Sequence, residues 1–87
     1  MKGQNDSIAA DAVYYQSRVY QKKGMYPEAL RFGYKELEMR KKLSSKIKLV
    51  EAYQEIGFTY DRMGDYLKAI EWHKKSLEEA LKQNDNE

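Results

Sequence analysis

The chain has no cysteine, which excludes a disulfide framework, a thiolate metal site and a cysteine nucleophile. It has one proline in 87 residues, and its glycines are few. That scarcity suits long helices, because proline and glycine are the residues that interrupt them. No apolar run approaches the ~20 residues that span a bilayer. The opening Met1-Lys2-Gly3-Gln4-Asn5-Asp6 holds no apolar stretch of a secretory kind. A soluble cytoplasmic protein is the default expectation, and no membrane is expected as a partner. The net charge is only +2, so the strong basic field of a dedicated nucleic-acid binder is missing. No glycine-rich phosphate loop and no nucleophile elbow occurs, and neither a cofactor nor an enzymatic activity is expected.

Charge and periodicity are abundant. Charged residues make up 34% and hydrophobic ones 41%, enough for a small core beneath a heavily charged surface. Sliding residues 8–47 against 48–87, a shift of 40, brings nine identical pairs into register. They are Ala12/Ala52, Tyr20/Tyr60, Gly24/Gly64, Tyr26/Tyr66, Ala29/Ala69, Lys35/Lys75, Leu37/Leu77, Glu38/Glu78 and Lys42/Lys82. Leu30/Ile70, Phe32/Trp72 and Lys22/Arg62 match in character. A period of this size marks a solenoid whose repeat is one supersecondary unit.

The second copy is the clearer one. Ile47, Val50, Tyr53, Ile56, Tyr60 and Met63 recur every three or four residues, the spacing of one helix face. Gly64 and Asp65 then supply a stop and a turn. Tyr66, Ala69, Ile70, His73, Leu77 and Ala80/Leu81 restart the period. Two amphipathic helices with so short a break fold back as an antiparallel hairpin. In the first copy Asn5, Asp6 or Ser7 caps a helix from about Ile8 to Lys23, with Ala9, Ala12, Val13 and Tyr20 as its stripe. Gly24 ends that helix. Pro27 opens the next, where a missing N–H costs nothing, and Ala29, Leu30, Leu37 and Leu43 carry it forward. The expected architecture is all-α: four helices near 7–23, 27–43, 47–63 and 66–82, in a single domain 1–87. Repeat one spans 8–43 and repeat two 47–82, with a polar, frayed tail at 83–87.

The string Ile56-Gly57-x-x-Tyr60-x-x-x-Gly64-x-Tyr66-x-x-Ala69-Ile70, followed by Ser76-Leu77, resembles the tetratricopeptide repeat. Gly57 and Ala69 are small, which lets the two helices of the hairpin approach closely, and Tyr60 and Tyr66 are expected to fill the groove around them. The resemblance covers 50–81 strongly and 10–43 more loosely. In repeat one Ser17 replaces the glycine, Gly33 stands where an aromatic is usual, and Glu36 where alanine or serine is usual. The 40-residue spacing is similar to the subclass found in polarity adaptors and bacterial regulatory proteins. The resemblance implies an α-solenoid of two hairpins, with Tyr20, Gly24, Tyr26, Ala29, Gly57, Tyr60, Gly64, Tyr66 and Ala69 as its structural positions.

It also implies a function: a non-catalytic interaction module, a scaffold or sensor, that binds a peptide or helical segment of a protein partner on a concave face made by the first helix of each hairpin. The outward residues there are Asp11, Tyr14, Tyr15, Arg18 and Gln21–Lys22, then Glu51, Gln54, Glu55, Phe58 and Asp61–Arg62. Tyr14, Tyr15, Arg18, Gln54, Phe58 and Arg62 are the expected contact residues, since tyrosine and arginine are enriched at binding hot spots. The carboxylate-clamp version of the family uses Lys and Asn at these places, and neither the Asn nor the paired Lys is present. His73, the only histidine, is expected to pack in the core with a hydrogen bond. Glu78-Glu79 and Glu36/Glu38 read as solvated helix faces.

The segment Arg40-Lys41-Lys42-Leu43-Ser44-Ser45-Lys46-Ile47-Lys48 carries five cations. They suit a helix C-terminus, where they oppose the dipole. The alternative function is a nucleic-acid-associated regulatory domain that places this segment on phosphates. Two repeats without a capping helix, ending on a helix with Trp72, Ala80 and Leu81, predict self-association through the open end. The junction 43–47 lacks Gly, Pro and Asn, which also admits a continuous helix and exchange of hairpins between chains.

Overall fold

A computed structural model describes residues 2–43 and 46–84. Four helices follow in order: α1 (Lys2–Lys22), α2 (Tyr26–Lys41), α3 (Lys46–Met63) and α4 (Tyr66–Asn84), with no strand among the described residues. Helix α1 packs on α2, α3 on α4, and α2 on α3, so two antiparallel hairpins stack side by side.

The hairpin turns follow from two glycines. Gly24 and Gly64 have φ of 75° and 83°, the left-handed conformation in which a side chain would clash with its own backbone. Each closes a helix with the same pair of bonds. Gly24 N–H donates to Gln21 C=O at 3.1 Å and Met25 N–H to Tyr20 C=O at 2.9 Å. Gly64 and Asp65 repeat this with Asp61 and Tyr60, both at 3.0 Å. This double bond pattern satisfies carbonyls that a helix end would otherwise leave open. Pro27 lies in the first turn of α2. Asp65 caps α4, its Oδ1 accepting from Lys68 N–H at 3.3 Å.

The core lies where the hairpins meet. Leu37, Leu49, Ala52 and Ile56 form a buried cluster, with Leu30, Tyr53, Tyr60 and Trp72 packed against it. Gly33 makes room: a Cβ there would lie 3.5 Å from Ile56 Cγ1. That is ordinary van der Waals contact, so a small side chain would fit at Gly33 and a larger one would press on Ile56. Ser17, in place of the glycine, is buried and donates its hydroxyl to Ala29 C=O at 2.9 Å.

Several expectations are corrected. Helix α1 begins at Lys2 and runs through Asn5, Asp6 and Ser7, so none of them caps it at Ile8. Its buried residues are Ala10, Val13, Ser17 and Gln21, whereas Ala9 and Ala12 are exposed. In α3 the inward face is Leu49, Ala52, Ile56 and Thr59, and Ile47 and Met63 are exposed. In α4 only Ala69 and Ser76 are buried, while Tyr66, Ile70, Leu77 and Leu81 face out, so Tyr66 does not fill the hairpin groove. Trp72 is half-buried against Tyr34 and Tyr53, at ring-centroid distances of 5.7 and 6.1 Å, and so is not part of the open end. Gln83 and Asn84 belong to α4, and Gln83 Nε2 donates to Lys46 C=O at 2.8 Å. Helix α2 ends in a turn at Lys42 and Leu43. Ser44 and Ser45, the centre of the junction, and residues 85–87 of the expected tail lie outside the described residues.

Candidate functional site: a groove between the first helices

Side chains of α1 and α3 meet along one surface. Gln21 Nε2 donates to Thr59 Oγ1 at 2.9 Å in the buried floor, and Thr59 in turn donates to Glu55 C=O at 3.0 Å. Burying these polar atoms is tolerable because they satisfy one another. Above them Arg18 Nη1 donates to the Tyr14 hydroxyl at 3.1 Å and lies 3.6 Å from Glu55 Oε1. The guanidinium also sits over the Tyr14 ring, whose edge meets Tyr15 at 5.0 Å between centroids. Burial pushes the Glu55 carboxyl up, and Arg18 counters it only in part.

Five of the six expected contact residues line two neighbouring clefts, and Arg62 lines neither. One, of about 450 Å³, is lined by Arg18, Gln54, Glu55, Phe58 and His73. The other, of about 200 Å³, is lined by Tyr14, Tyr15, Glu36, Arg40, Lys48 and Glu51. Arg62 lies over the Phe58 ring at 5.6 Å, holding that exposed aromatic at the rim. The groove therefore offers aromatic faces, paired charges and an amide side by side. Arg18 is partly exposed and engaged through Nη1, while its Nε is buried with no hydrogen-bond partner among the described residues.

His73 is not a core residue. It is exposed, and its ring lies across Gly57, where a Cβ would fall 2.8 Å from His73 Cε1. The close approach that Gly57 permits is thus to His73 and not, as the repeat pattern suggested, to Ala69. Helix α4 contributes to the groove through this imidazole.

Sequence reasoning missed an ion triad around a buried arginine. Arg40 is fully buried; its Nε donates to Glu36 Oε2 at 2.9 Å and its Nη2 to Asp11 Oδ1 at 2.7 Å. Arg40 Nη1 has no hydrogen-bond partner among the described residues. Glu36 is buried rather than solvated, and burial raises its pKa against the lowering pull of Arg40. Arg40 is held more firmly protonated by the two carboxylates, although burial alone works the other way. The signal was present in the sequence: Glu36 occupies a position that usually holds a small residue, and Arg40 follows at the i,i+4 spacing that pairs side chains on a helix.

The basic segment is dispersed. Arg40 is spent in the triad, Lys41 Nζ lies 3.2 Å from Glu38, and Lys48 Nζ lies 4.0 Å from Glu51. Elsewhere, at the seam of α2, α3 and α4, two depressions of about 300 and 430 Å³ are rimmed by lysines and glutamates. Among the described residues no group of His, Asp and Glu is arranged to hold a metal, and no helix is long and apolar enough to cross a membrane.

No curated protein and no solved structure matches the chain. A family model does match, over residues 9–81, and it is described as tetratricopeptide repeat. That stretch holds both hairpins, their two left-handed glycine turns and the junction between them. The chain belongs to the tetratricopeptide-repeat family, whose repeats mediate protein–protein interaction.

Proposed function

We propose that this chain is a non-catalytic interaction module, a scaffold or sensor unit, that holds a peptide or helical segment of a protein partner in the groove between α1 and α3. The observation that carries the reading is the cluster of Tyr14, Tyr15, Arg18, Gln54, Phe58 and Arg62 around adjoining clefts. Aromatic and arginine side chains with immobilised rotamers lose little entropy on binding, which is why they dominate interface energetics. Arg18 is tied to Tyr14 and Glu55, and Arg62 lies over Phe58, contacts that favour a preformed groove.

Nucleic-acid binding through residues 40–48 has less support. Three of the five cations are engaged by Glu36, Asp11, Glu38 and Glu51, which leaves a weaker field for phosphates.

The test is a peptide selected from a displayed library against the whole chain. Replacing Tyr14, Arg18 and Phe58 together with alanine is expected to weaken that peptide at least about tenfold, with helicity by circular dichroism unchanged. Undiminished affinity in the triple variant, with loss on neutralising Lys41, Lys42, Lys46 and Lys48, overturns the reading in favour of the basic segment.

A further inference from the structure

Helix α4 carries a second apolar surface that the groove does not use. Leu67, Ile70, Leu77 and Leu81 are 82%, 57%, 60% and 53% exposed. With Lys74 they follow one another at spacings of three, four, three and four residues, so all five lie on one narrow face of the helix. This face points away from the buried side marked by Ala69 and Ser76. A run of large aliphatic residues left open on one helix marks an interaction surface. The spacing is that of a coiled-coil seam with a single lysine at one core position.

The seam is palindromic about Lys74 to within one position. Leu67 and Leu81 lie seven positions to either side, and Ile70 and Leu77 lie four before and three after. Glu71 and Glu78 flank the centre, and Lys74 forms no ion pair with either of them, nor with any other described residue. We infer that the occupant of this face is the α4 of a second copy of the chain, antiparallel across a two-fold axis through Lys74. In that arrangement Leu67 meets the second copy's Leu81 and Ile70 meets its Leu77, while the two Lys74 side chains meet at the axis and must splay apart toward Glu71 and Glu78 of the opposite copy, at a cost in stability. A two-fold contact needs a self-complementary surface, and this one is. The lysine pair sets the register, because a slip of half a heptad places each lysine against Ile70 or Leu77 of the other copy.

Stacking of a further repeat on α4 accounts for the face less well. Within the chain α3 already stacks on α2 in that way, and it buries Leu37, the counterpart of Leu77, to 3% exposure. The counterparts of Leu67 and Leu81 are Pro27 and Lys41, and α3 leaves both exposed. A stacked repeat would cover Ile70 and Leu77 and leave Leu67 and Leu81 in water. An antiparallel α4 covers all four.

The absence of cysteine makes the test direct. Sedimentation equilibrium of the whole chain, taken to about 1 mM, is expected to show one and two chains in exchange and nothing larger. Leu67→Glu combined with Leu81→Glu is expected to raise the dissociation constant about tenfold or more. Both side chains are solvent-exposed, so helicity and melting of the monomer at low concentration should not change. Lys74→Cys under mild oxidation is expected to give a covalent dimer faster than Lys35→Cys on the exposed side of α2. A mass of one chain throughout overturns the inference. So does growth beyond two chains that resists the Leu67 and Leu81 changes but fails with Leu77→Glu, which would be stacking, and so does equal cross-linking of the two cysteine variants. None of these outcomes bears on the α1–α3 groove.

Discussion

The imidazole of His73 lies across the backbone of Gly57, so close that a Cβ on Gly57 would fall within 2.8 to 3.0 Å of three of its ring atoms. In repeat one the sizes are exchanged and the approach is looser. There Ser17 takes the place of Gly57 and Gly33 that of His73, and a Cβ on Gly33 would lie 3.7 Å from Ser17 Oγ. Only in repeat two would a Cβ come closer than ordinary van der Waals contact, so the tight approach belongs to Gly57 and His73.

Gly57→Leu is therefore expected to destabilise the fold by roughly 1–3 kcal/mol through overpacking, read as a lower urea midpoint at unchanged slope. Gly57→Ala is the finer probe, because His73 is exposed and its ring can swing away. In a His73→Ala background, Gly57→Ala should become neutral or gain up to about 1 kcal/mol from helix propensity. An equal loss in both backgrounds would show that the imidazole is not what Gly57 accommodates.

Gly24→Ala and Gly64→Ala should each cost about 1–2 kcal/mol, the penalty of a left-handed conformation for an L-residue. Nothing lies within 4 Å of a Cβ at either position, so the loss is purely one of backbone strain. Thermal melts of the two single variants should fall together. A variant as stable as the parent would mean that its turn closes by another route.

Arg40→Ala leaves Glu36 buried without its counter-ion and should destabilise by about 3–5 kcal/mol at neutral pH. The sign of the pH dependence follows from Glu36. Burial already raises its folded pKa above the ordinary 4.5, and losing Arg40 raises it further. A carboxyl with a raised folded pKa contributes stability below its unfolded pKa and loses it as pH rises through the folded one. The deficit of the variant against the parent should thus shrink near pH 4 and grow toward pH 8. Chemical denaturation at both pH values checks this, and a deficit independent of pH would place the cost in lost packing.

The local signals were legible in the sequence. Gly24, Gly64 and Pro27 act on their own backbone, so their positions fixed the turns and the start of α2 without tertiary knowledge. The helix faces were less legible. Ala9, Ala12, Ile70 and Leu77 read as core because a repeat sequence encodes faces for neighbouring repeats as well as for its own hairpin, and periodicity alone does not say which neighbours are present. Leu37 and Leu77 are identical in the repeat, yet one is buried by α3 and the other lies open. The triad was hidden for another reason: Asp11 and Arg40 are 29 residues apart, and only the packing of α1 on α2 brings them together. In the groove, the residue types at Tyr14, Arg18 and Phe58 were readable, but the ties of Arg18 to Glu55 and of His73 to Gly57 were not.

The central claim is that the α1–α3 groove holds the partner. Its most direct test is amide chemical-shift mapping of the isotopically labelled chain, at a concentration where it is monomeric, during titration with a display-selected peptide. The account predicts that saturable shifts centre on Tyr14, Tyr15, Arg18, Gln54, Phe58 and Arg62 and spread to His73. Shifts confined to Lys41–Lys48, or to the Leu67–Leu81 face of α4, with the groove silent, would contradict it.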